Sequence, residues 1–139
     1  MQKAENGQNS IYVSIYEFEK SLFKKYDNLE KITIKDVMSA TDYKNFIIES
    51  TKQADKVLGI NDRQITEYFD TEINGNPAYG CKYTFTQYKE GEMIKYTEIN
   101  YSLMLGNVMY SVIGKTPTEN FNSLKSEIEN SINSFKFIR

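Results

Sequence analysis

The chain has 139 residues, of which 40% are hydrophobic and 26% are charged, as expected for a single globular domain over residues 1–139. A net charge of −2 provides no basic field for a polyanion, so we do not expect nucleic-acid binding. The chain contains no histidine and one cysteine, which excludes Ser-His-Asp and Cys-His catalysis and a structural zinc site. We therefore expect neither a metal nor a cofactor.

The first third of the chain is less regular than the rest. Residues 1–9 are polar and are predicted to form a flexible segment, and the apolar alternation of residues 11–18 predicts a strand. Residues 19–41 predict a short helix followed by a loop or an edge strand. Their lysines, including Lys24 and Lys25, form either a solvated face or a docking surface for an acidic partner.

A second amphipathic segment follows directly. Apolar residues recur with the helical period over residues 43–58, so we predict a helix that covers one face of a sheet. Thr41 or Asp42 is the predicted N-cap, and Gly59 is the predicted C-terminal stop. Residues 63–73 are predicted to begin a meander of strands.

Three tight-turn signals divide the second half of the chain into long strands. They are Asn74-Gly75, Glu90-Gly91 and Gly106-Asn107, each interpreted as a two-residue hairpin turn. This register predicts the cross-strand pairs Ile73–Asn76, Phe69–Gly80, Glu67–Lys82, Phe85–Tyr96, Tyr83–Glu98 and Leu103–Tyr110. Because both faces of the resulting sheet are largely apolar, we predict that both are covered.

The chain ends in a predicted amphipathic helix. Thr118 follows Pro117 and is the predicted N-cap. The apolar stripe consists of Phe121, Leu124, Ile128, Ile132 and Phe135. This helix is predicted to lie on one face of the sheet.

The sequence INGNPAY at residues 73–79, the long strands after it, and the final Ser-Phe-Lys-Phe at residues 134–137 resemble the second half of PsbP-like domains. The resemblance implies an α+β fold related to Mog-type proteins, with an antiparallel sheet of about five strands between helices. It implies a bacterial extracytoplasmic protein, secreted or lipid-anchored in its full-length form. By this comparison, residues 19–41 are an insertion.

One feature of the family is missing from this chain. PsbP-like domains usually begin with a short hairpin that contains a proline and a tryptophan, whereas this chain has no tryptophan and only Pro77 and Pro117. Either the hairpin was removed or the chain belongs to a divergent branch. A missing hairpin would expose a sheet edge, which leads us to expect a homodimer through that edge.

Carboxylates and tyrosines are the remaining candidates for a site. The register places Glu98 beside Tyr83, with Tyr96 and Thr66 nearby on the same face. Among these aromatic rings Glu98 would have a raised pKa and could act as a base; alternatively, it lies near the sheet edge and reaches water. The tyrosines either stack on a sugar or peptide or simply belong to the core. Cys81 is interpreted as a small buried hydrophobic residue rather than a reactive thiol.

We expect a non-catalytic binding or assembly module with a protein or cell-envelope partner and no transmembrane segment. The candidate binding residues are Tyr83, Tyr96, Glu98, Lys24 and Lys25. The alternative is a small-molecule-binding or metal-binding protein, or an enzyme, with a pocket between the sheet and residues 19–41. A deep pocket holding two or more carboxylates would favour that alternative.

Overall fold

One antiparallel sheet organises the protein, whose computed structural model describes residues 2–3 and 9–134. The side chains of residues 2–3, 123–124, 128 and 132–133 are not described. The strands are β1 (Gln2–Lys3), β2 (Ser10–Glu17), β3 (Gln64–Ile73), β4 (Asn76–Lys89), β5 (Glu92–Leu105) and β6 (Val108–Pro117), in the spatial order β1-β2-β6-β5-β4-β3. The predicted sheet of about five strands is confirmed, with β1 as a two-residue addition.

The hairpin turns have the predicted positions. Asn74 and Gly75 have φ values of 50° and 80°, and Glu90 and Gly91 have values of 52° and 84°, which is the type I′ pattern. Gly106 alone has a positive φ, 66°, in the third turn, as a type II′ turn requires. All of the predicted cross-strand pairs are present: Ile73–Asn76, Phe69–Gly80, Glu67–Lys82, Phe85–Tyr96, Tyr83–Glu98 and Leu103–Tyr110.

The long helix α2 (Ala40–Leu58) connects β2 and β3 together with the preceding segment. Its N-cap is Ser39 rather than Thr41 or Asp42: the Ser39 hydroxyl accepts from the Asp42 backbone N–H at 3.1 Å, and Asp42 accepts from the Ser39 N–H at 3.0 Å. This reciprocal capping box moves the start of the helix toward the N-terminus. Gly59 ends the helix in the left-handed conformation, as predicted.

Residues 19–41 contain no strand, so of the two predicted alternatives, a loop or an edge strand, the edge strand is wrong. They form two 3-10 turns, Lys20–Phe23 and Leu29–Lys31, and the one-turn helix α1 (Ile34–Val37). Thr33 and Asp36 form a second capping box, which satisfies backbone groups that a strand would have paired across a sheet. Ile32 and Ile34 are buried in the core instead of lying along an edge.

Each face of the sheet has its own core. One core lies under α1 and α2 and includes Phe23, Ile32, Ile34, Tyr43, Ile47, Tyr79, Cys81, Tyr83, Phe85, Tyr96, Met104 and Met109. The other includes Ile73, Ala78, Ile99, Leu103, Val112 and Phe121, the first residue of helix α3 (Phe121–Asn133). The prediction that helices cover both faces is confirmed.

The start of α3 differs from the prediction. A 3-10 turn, Thr118–Asn120, precedes it, so Thr118 begins that turn instead of capping α3, and its hydroxyl lies 3.0 Å from that of Thr97 on β5. Of the predicted apolar stripe, the side chains of Leu124, Ile128 and Ile132 are not described. Phe135 and the Phe-Lys-Phe end of the chain lie outside the described residues.

The N-terminal edge of the sheet is only partly paired. β1 pairs with Ser10 and Ile11 of β2, and in the part of the chain that the structure describes the rest of β2 pairs with β6 alone. Met1 and residues 4–8 of the predicted flexible segment lie outside the described residues. Among the residues that the structure describes, no helix is both long and apolar enough to cross a membrane.

Candidate functional site

Helix α2 covers only part of its sheet face. It buries Tyr43, whose ring stacks on that of Tyr79 at 5.3 Å, and Ile47. Toward β5, β6 and β2 the helix and the sheet separate and leave a cleft of about 400 Å³. The lining includes Tyr12, Phe46, Ile47, Ala54, Leu58, Ile60, Arg63, Tyr83, Phe85, Gln87, Glu98, Asn100, Met109, Ser111, Ile113 and Lys115.

The buried carboxylate of Glu98 forms part of the floor of this cleft. Glu98 is 7% exposed, because β5 is an inner strand between β4 and β6, so the alternative that it reaches water at the sheet edge is wrong. The Tyr83 hydroxyl donates to the carboxylate, and Tyr12 provides a second side-chain hydrogen bond. Burial raises the pKa of Glu98, although these hydrogen bonds and the nearby cations act in the opposite direction.

The hydroxyls of Tyr83 and Tyr12 act as hydrogen-bond donors to Glu98. Burial, together with the charge of Glu98, raises the pKa of both Tyr83 and Tyr12. Their hydroxyls therefore stay protonated at neutral pH and keep donating to Glu98. Among the described residues, the partners of the carboxylate are these neutral hydroxyls rather than a cation in contact.

Arg63 forms one end of the cleft, just before β3. Its guanidinium pairs with Asp55 of α2, with Nη2 2.7 Å from Oδ1 and Nε 2.9 Å from Oδ1. The guanidinium carbon lies 4.6 Å from the Tyr83 ring centre and 4.7 Å from that of Phe85. The ion pair and the two ring contacts fix Arg63 in place, because a planar guanidinium can stack and bond at once.

Lys115 on β6 is the second cation of the cleft. Its Nζ donates to Gln87 Oε1 at 2.9 Å and lies 4.3 Å from the Tyr96 ring centre. Lys115 is half-buried, and the loss of hydration lowers its pKa even though the charge of Glu98 acts to raise it. Its side-chain acceptor among the described residues is neutral, and the Glu98 carboxylate opposite it on β5 forms no ion pair with it, although buried charges are usually paired.

The structure brings only part of the predicted site together. Tyr83 and Glu98 line the cleft, whereas Tyr96 is buried behind it, 1% exposed and stacked on Phe85. The Tyr96 hydroxyl is buried and has no hydrogen-bond partner among the described residues. Thr66 lies at a bulge in β3, donates to the Lys82 carbonyl at 3.2 Å and is not part of the lining.

The predicted basic residues of the 19–41 segment lie elsewhere. Lys24 and Lys25 follow the first 3-10 turn, are exposed and do not line the cleft. The Lys25 ammonium lies 5.2 Å from the centre of the neighbouring Tyr26 ring. Neither alternative for this lysine face is decided by these contacts, so the docking surface stays a prediction.

Cys81 lies in the core beneath α2. It is fully buried, and the Tyr43 hydroxyl lies 3.9 Å from its sulfur. Burial raises the pKa of the thiol to about 12, which leaves almost no thiolate at neutral pH. The interpretation of Cys81 as a small buried hydrophobic residue agrees with this environment.

Sequence reasoning missed Arg63, Lys115 and Tyr12. The predicted Leu103–Tyr110 register already places Lys115 opposite Glu98, so Lys115 could have been predicted from the sequence as a neighbour of Glu98. Tyr12 requires the pairing of β2 with β6, about a hundred residues apart, which no local signal indicates. To predict that Arg63 lies at the cleft, one would need to know where the end of α2 places Asp55, with which Arg63 pairs.

A smaller hollow of about 250 Å³ lies between the 19–41 segment and the β5–β6 turn. Leu29 and Glu30 line it from one side, and Gly106, Asn107 and Tyr110 from the other. It occupies the place predicted for the alternative pocket but holds a single carboxylate rather than a cluster. Across residues 2–3 and 9–134, no three potential metal ligands come together.

The fold is PsbP-like, as predicted. The chain is similar to the solution structure of cyanobacterial PsbP from Synechocystis, with a TM-score of 0.67 and 13% identity over 94% of this chain and 68% of that one. It is also similar to the crystal structure of a Pseudomonas aeruginosa protein of unknown function, with a TM-score of 0.51 and 8% identity over 94% and 85% of the two chains. No protein-family model and no curated protein sequence matches the chain.

Proposed function

We propose that this protein is a non-catalytic, extracytoplasmic binding module that holds its ligand in the cleft between α2 and the sheet. This proposal rests on the floor of that cleft, where buried Glu98 and half-buried Lys115 line the same open space. Charged groups on a sheet face beneath a covering helix are costly to bury, so two of them at one position are unusual in a purely structural core. Convergent polar groups within apolar walls are typical of small-ligand sites.

The absence of catalysis is proposed from the roles of the acidic groups. Glu98 is the one carboxylate among the described residues that line the cleft, and tyrosine hydroxyls already occupy it. Asp55 lies behind Arg63 and is engaged with it. A pair of carboxylates acting as general acid and base would need a second free acidic group, and the described lining offers none; Lys115, the other titratable group of the cleft, is assigned to binding.

The cleft is tested by mapping bound fragments with amide NMR shifts. Ala54→Phe fills the cleft from the helix side, and Gln53→Phe adds the same ring on the exposed side of α2. Fragment shifts are expected to cluster on Tyr12, Tyr83 and Lys115, to disappear in Ala54→Phe and to persist in Gln53→Phe. Hits that map elsewhere or survive Ala54→Phe would remove the basis of the proposal. Turnover of a bound fragment that stops in Glu98→Gln would overturn its non-catalytic part.

We also propose that two copies associate through the outer edge of β2. Beyond Ile11 this edge has no strand partner among the described residues, and Ile15 and Tyr16 are 64% and 57% exposed. Unpaired edges invite strand addition. Light scattering over a concentration series is expected to show a dimer that Ile15→Lys weakens. A monomer at all concentrations would contradict this.

The extracytoplasmic location rests on the likeness in fold and is tested separately. The full-length gene, fused to a reporter that is active only after export, is expected to give activity in its host. A fusion that is active only in the cytoplasm would overturn the proposed location and leave the cleft unaffected.

A further inference from the structure

We propose that the ligand of the cleft is a small organic monocarboxylate, with its head at the ammonium of Lys115 and its apolar body between α2 and the sheet. This inference rests on the proposed function, because it assumes that the cleft is the binding site. It adds the chemical class of the ligand and the residue that selects it.

The charged groups of the cleft differ in how many hydrogen-bond partners they already have. The Glu98 carboxylate accepts from two tyrosines, and Arg63 is engaged by Asp55. Lys115 has three N–H donors and, among the described residues, a single side-chain acceptor in Gln87. Of these three charged groups, the ammonium on β6 therefore has the fewest hydrogen-bond partners among the described residues.

The neutral polar groups point to the same ligand chemistry. Gln87 gives its carbonyl oxygen to Lys115, which leaves its amide N–H groups as donors. Asn100 lines the cleft and accepts from Ser102 at 3.4 Å through its amide oxygen, which likewise leaves its N–H groups as donors. A ligand group that only accepts suits these donors, and an ionised carboxylate is such a group.

An anion would also compensate Lys115 for the hydration that its ammonium loses on burial. The ammonium is half-buried, and the Tyr96 and Phe85 rings, 4.3 and 5.4 Å away, replace part of its hydration shell. Ring faces compensate a cation only in part, whereas a carboxylate compensates it through charge-assisted hydrogen bonds. Binding of an anion is therefore favoured at this position.

The walls define the remainder of the ligand. Phe46 and Leu58 on α2 are 38% and 55% exposed at the cleft, and Met109 and Ile113 face them from β6. A volume of about 400 Å³ is near the lower end of small-molecule sites. Arg63 and Glu98 are already engaged by other side chains and most of the remaining wall is apolar, so one carboxylate on an apolar body fits best.

The test uses three probes with one apolar body and different heads: phenylpropionate, phenylpropanol and phenylpropylamine. Titration at neutral pH is expected to show that the acid binds at least about tenfold more tightly than the alcohol, and that the amine binds most weakly. Lys115→Met is expected to reduce binding of the acid to the level of the alcohol. Lys95→Met, which removes an exposed lysine of β5, is the matched control and should change nothing.

The outcomes separate this inference from the proposed function. An amine that binds more tightly than the acid and is lost in Glu98→Gln would overturn the carboxylate and leave the cleft as the site. Binding of the acid that Lys115→Met does not weaken would remove the selecting role of Lys115. If fragments occupy the cleft but none of the probes does, the ligand class is wrong; if no fragment occupies the cleft, the proposed function itself fails. The comparison of probes on the unmodified protein decides the head group even if Lys115→Met does not fold.

Discussion

Glu98 and Lys115 lie directly opposite each other on β5 and β6, and both line the cleft, yet no ion pair joins them. The carboxylate takes hydrogen bonds from tyrosine hydroxyls, and the ammonium donates to Gln87. Buried opposite charges usually offset each other's loss of hydration by direct contact. Each of these charges has neutral hydrogen-bond partners instead, while each still acts on the pKa of the other through space.

Glu98→Gln is expected to alter the pH dependence of stability. Burial raises the pKa of Glu98 in the folded state above its unfolded value, so between the two values the folded protein binds a proton that the unfolded chain does not. The free energy of unfolding of the unmodified protein should therefore fall, relative to the variant, as the pH rises through the range between the unfolded and the folded pKa. Urea unfolding of both proteins across that range measures the difference.

The control for this experiment is Glu67→Gln. Glu67 is 52% exposed and pairs with Lys82 at 2.9 Å, so its removal should change stability by less than about 1 kcal/mol. If the curves of the unmodified protein and Glu98→Gln run parallel across the pH range, the folded environment of Glu98 does not favour its protonated form.

Tyr83→Phe is expected to destabilise the fold through Glu98. The variant keeps the ring that contacts Arg63 but removes a donor from a buried carboxylate, which costs about 1–3 kcal/mol. The loss should be largest at pH values above the folded pKa of Glu98, where its carboxylate is ionised, and smaller in the Glu98→Gln background. A double-mutant cycle in urea measures this coupling. Equal losses in both backgrounds would mean that the hydroxyl does not act on the carboxylate.

The sheet could be predicted because its register is encoded locally. Asn74-Gly75 and Glu90-Gly91 adopt positive φ at both positions, so each turn fixes the pairing of two long strands at once. The Tyr83–Glu98 pair follows directly from the second turn. Residues 19–41 carry no such signal: Thr33 and Asp36 cap a single helical turn there, and the apolar residues around them suggested an edge strand.

The cleft could not be predicted from the same information. Its floor combines β5 and β6 with β2, and its wall depends on how far α2 lies from the sheet beyond Ile47. The helical period of residues 43–58 predicted an apolar face for α2, but it could not show that Phe46 and Leu58 stay partly exposed. Helix periodicity fixes which side chains share a face, and packing decides which of them are buried.

Ser39→Ala is expected to cost about 1 kcal/mol, because it removes the side chain that accepts from the Asp42 backbone N–H. Thr41→Ala is the matched control: Thr41 lies inside the first turn, so the change should be neutral or slightly stabilising. Thermal and urea unfolding of the two variants compare the positions. A greater loss for Thr41→Ala would return the helix start to the position that the sequence indicated.

Gly80→Ala is expected to destabilise the sheet by about 1–3 kcal/mol through overcrowding. A Cβ at this position would lie 2.8 Å from Tyr101 Cδ1 and 2.9 Å from the Asn100 carbonyl oxygen, and that backbone atom cannot move away cheaply. Gly59→Ala provides the contrast, because it meets no atom within 4 Å and imposes only the cost of a positive φ of 71°, about 1 kcal/mol. Since Tyr101 also stacks on Phe69 at 5.7 Å, Gly80→Ala should change the aromatic circular dichroism signal, whereas Gly59→Ala should not.

Cys81 is expected to remain unlabelled by a thiol reagent in the folded protein and to react fully once the protein unfolds. Its side chain has no exposed surface, and burial raises its pKa to about 12, so near pH 8 the nucleophilic thiolate is almost absent. Labelling through a urea titration should therefore follow the loss of secondary structure with the same midpoint. Gln53→Cys in a Cys81→Ala background provides an exposed thiol on α2 as the control and should react at once. If Cys81 reacts in the folded state as fast as that control, α2 opens away from the sheet without global unfolding, and the cleft beneath it is not a fixed site.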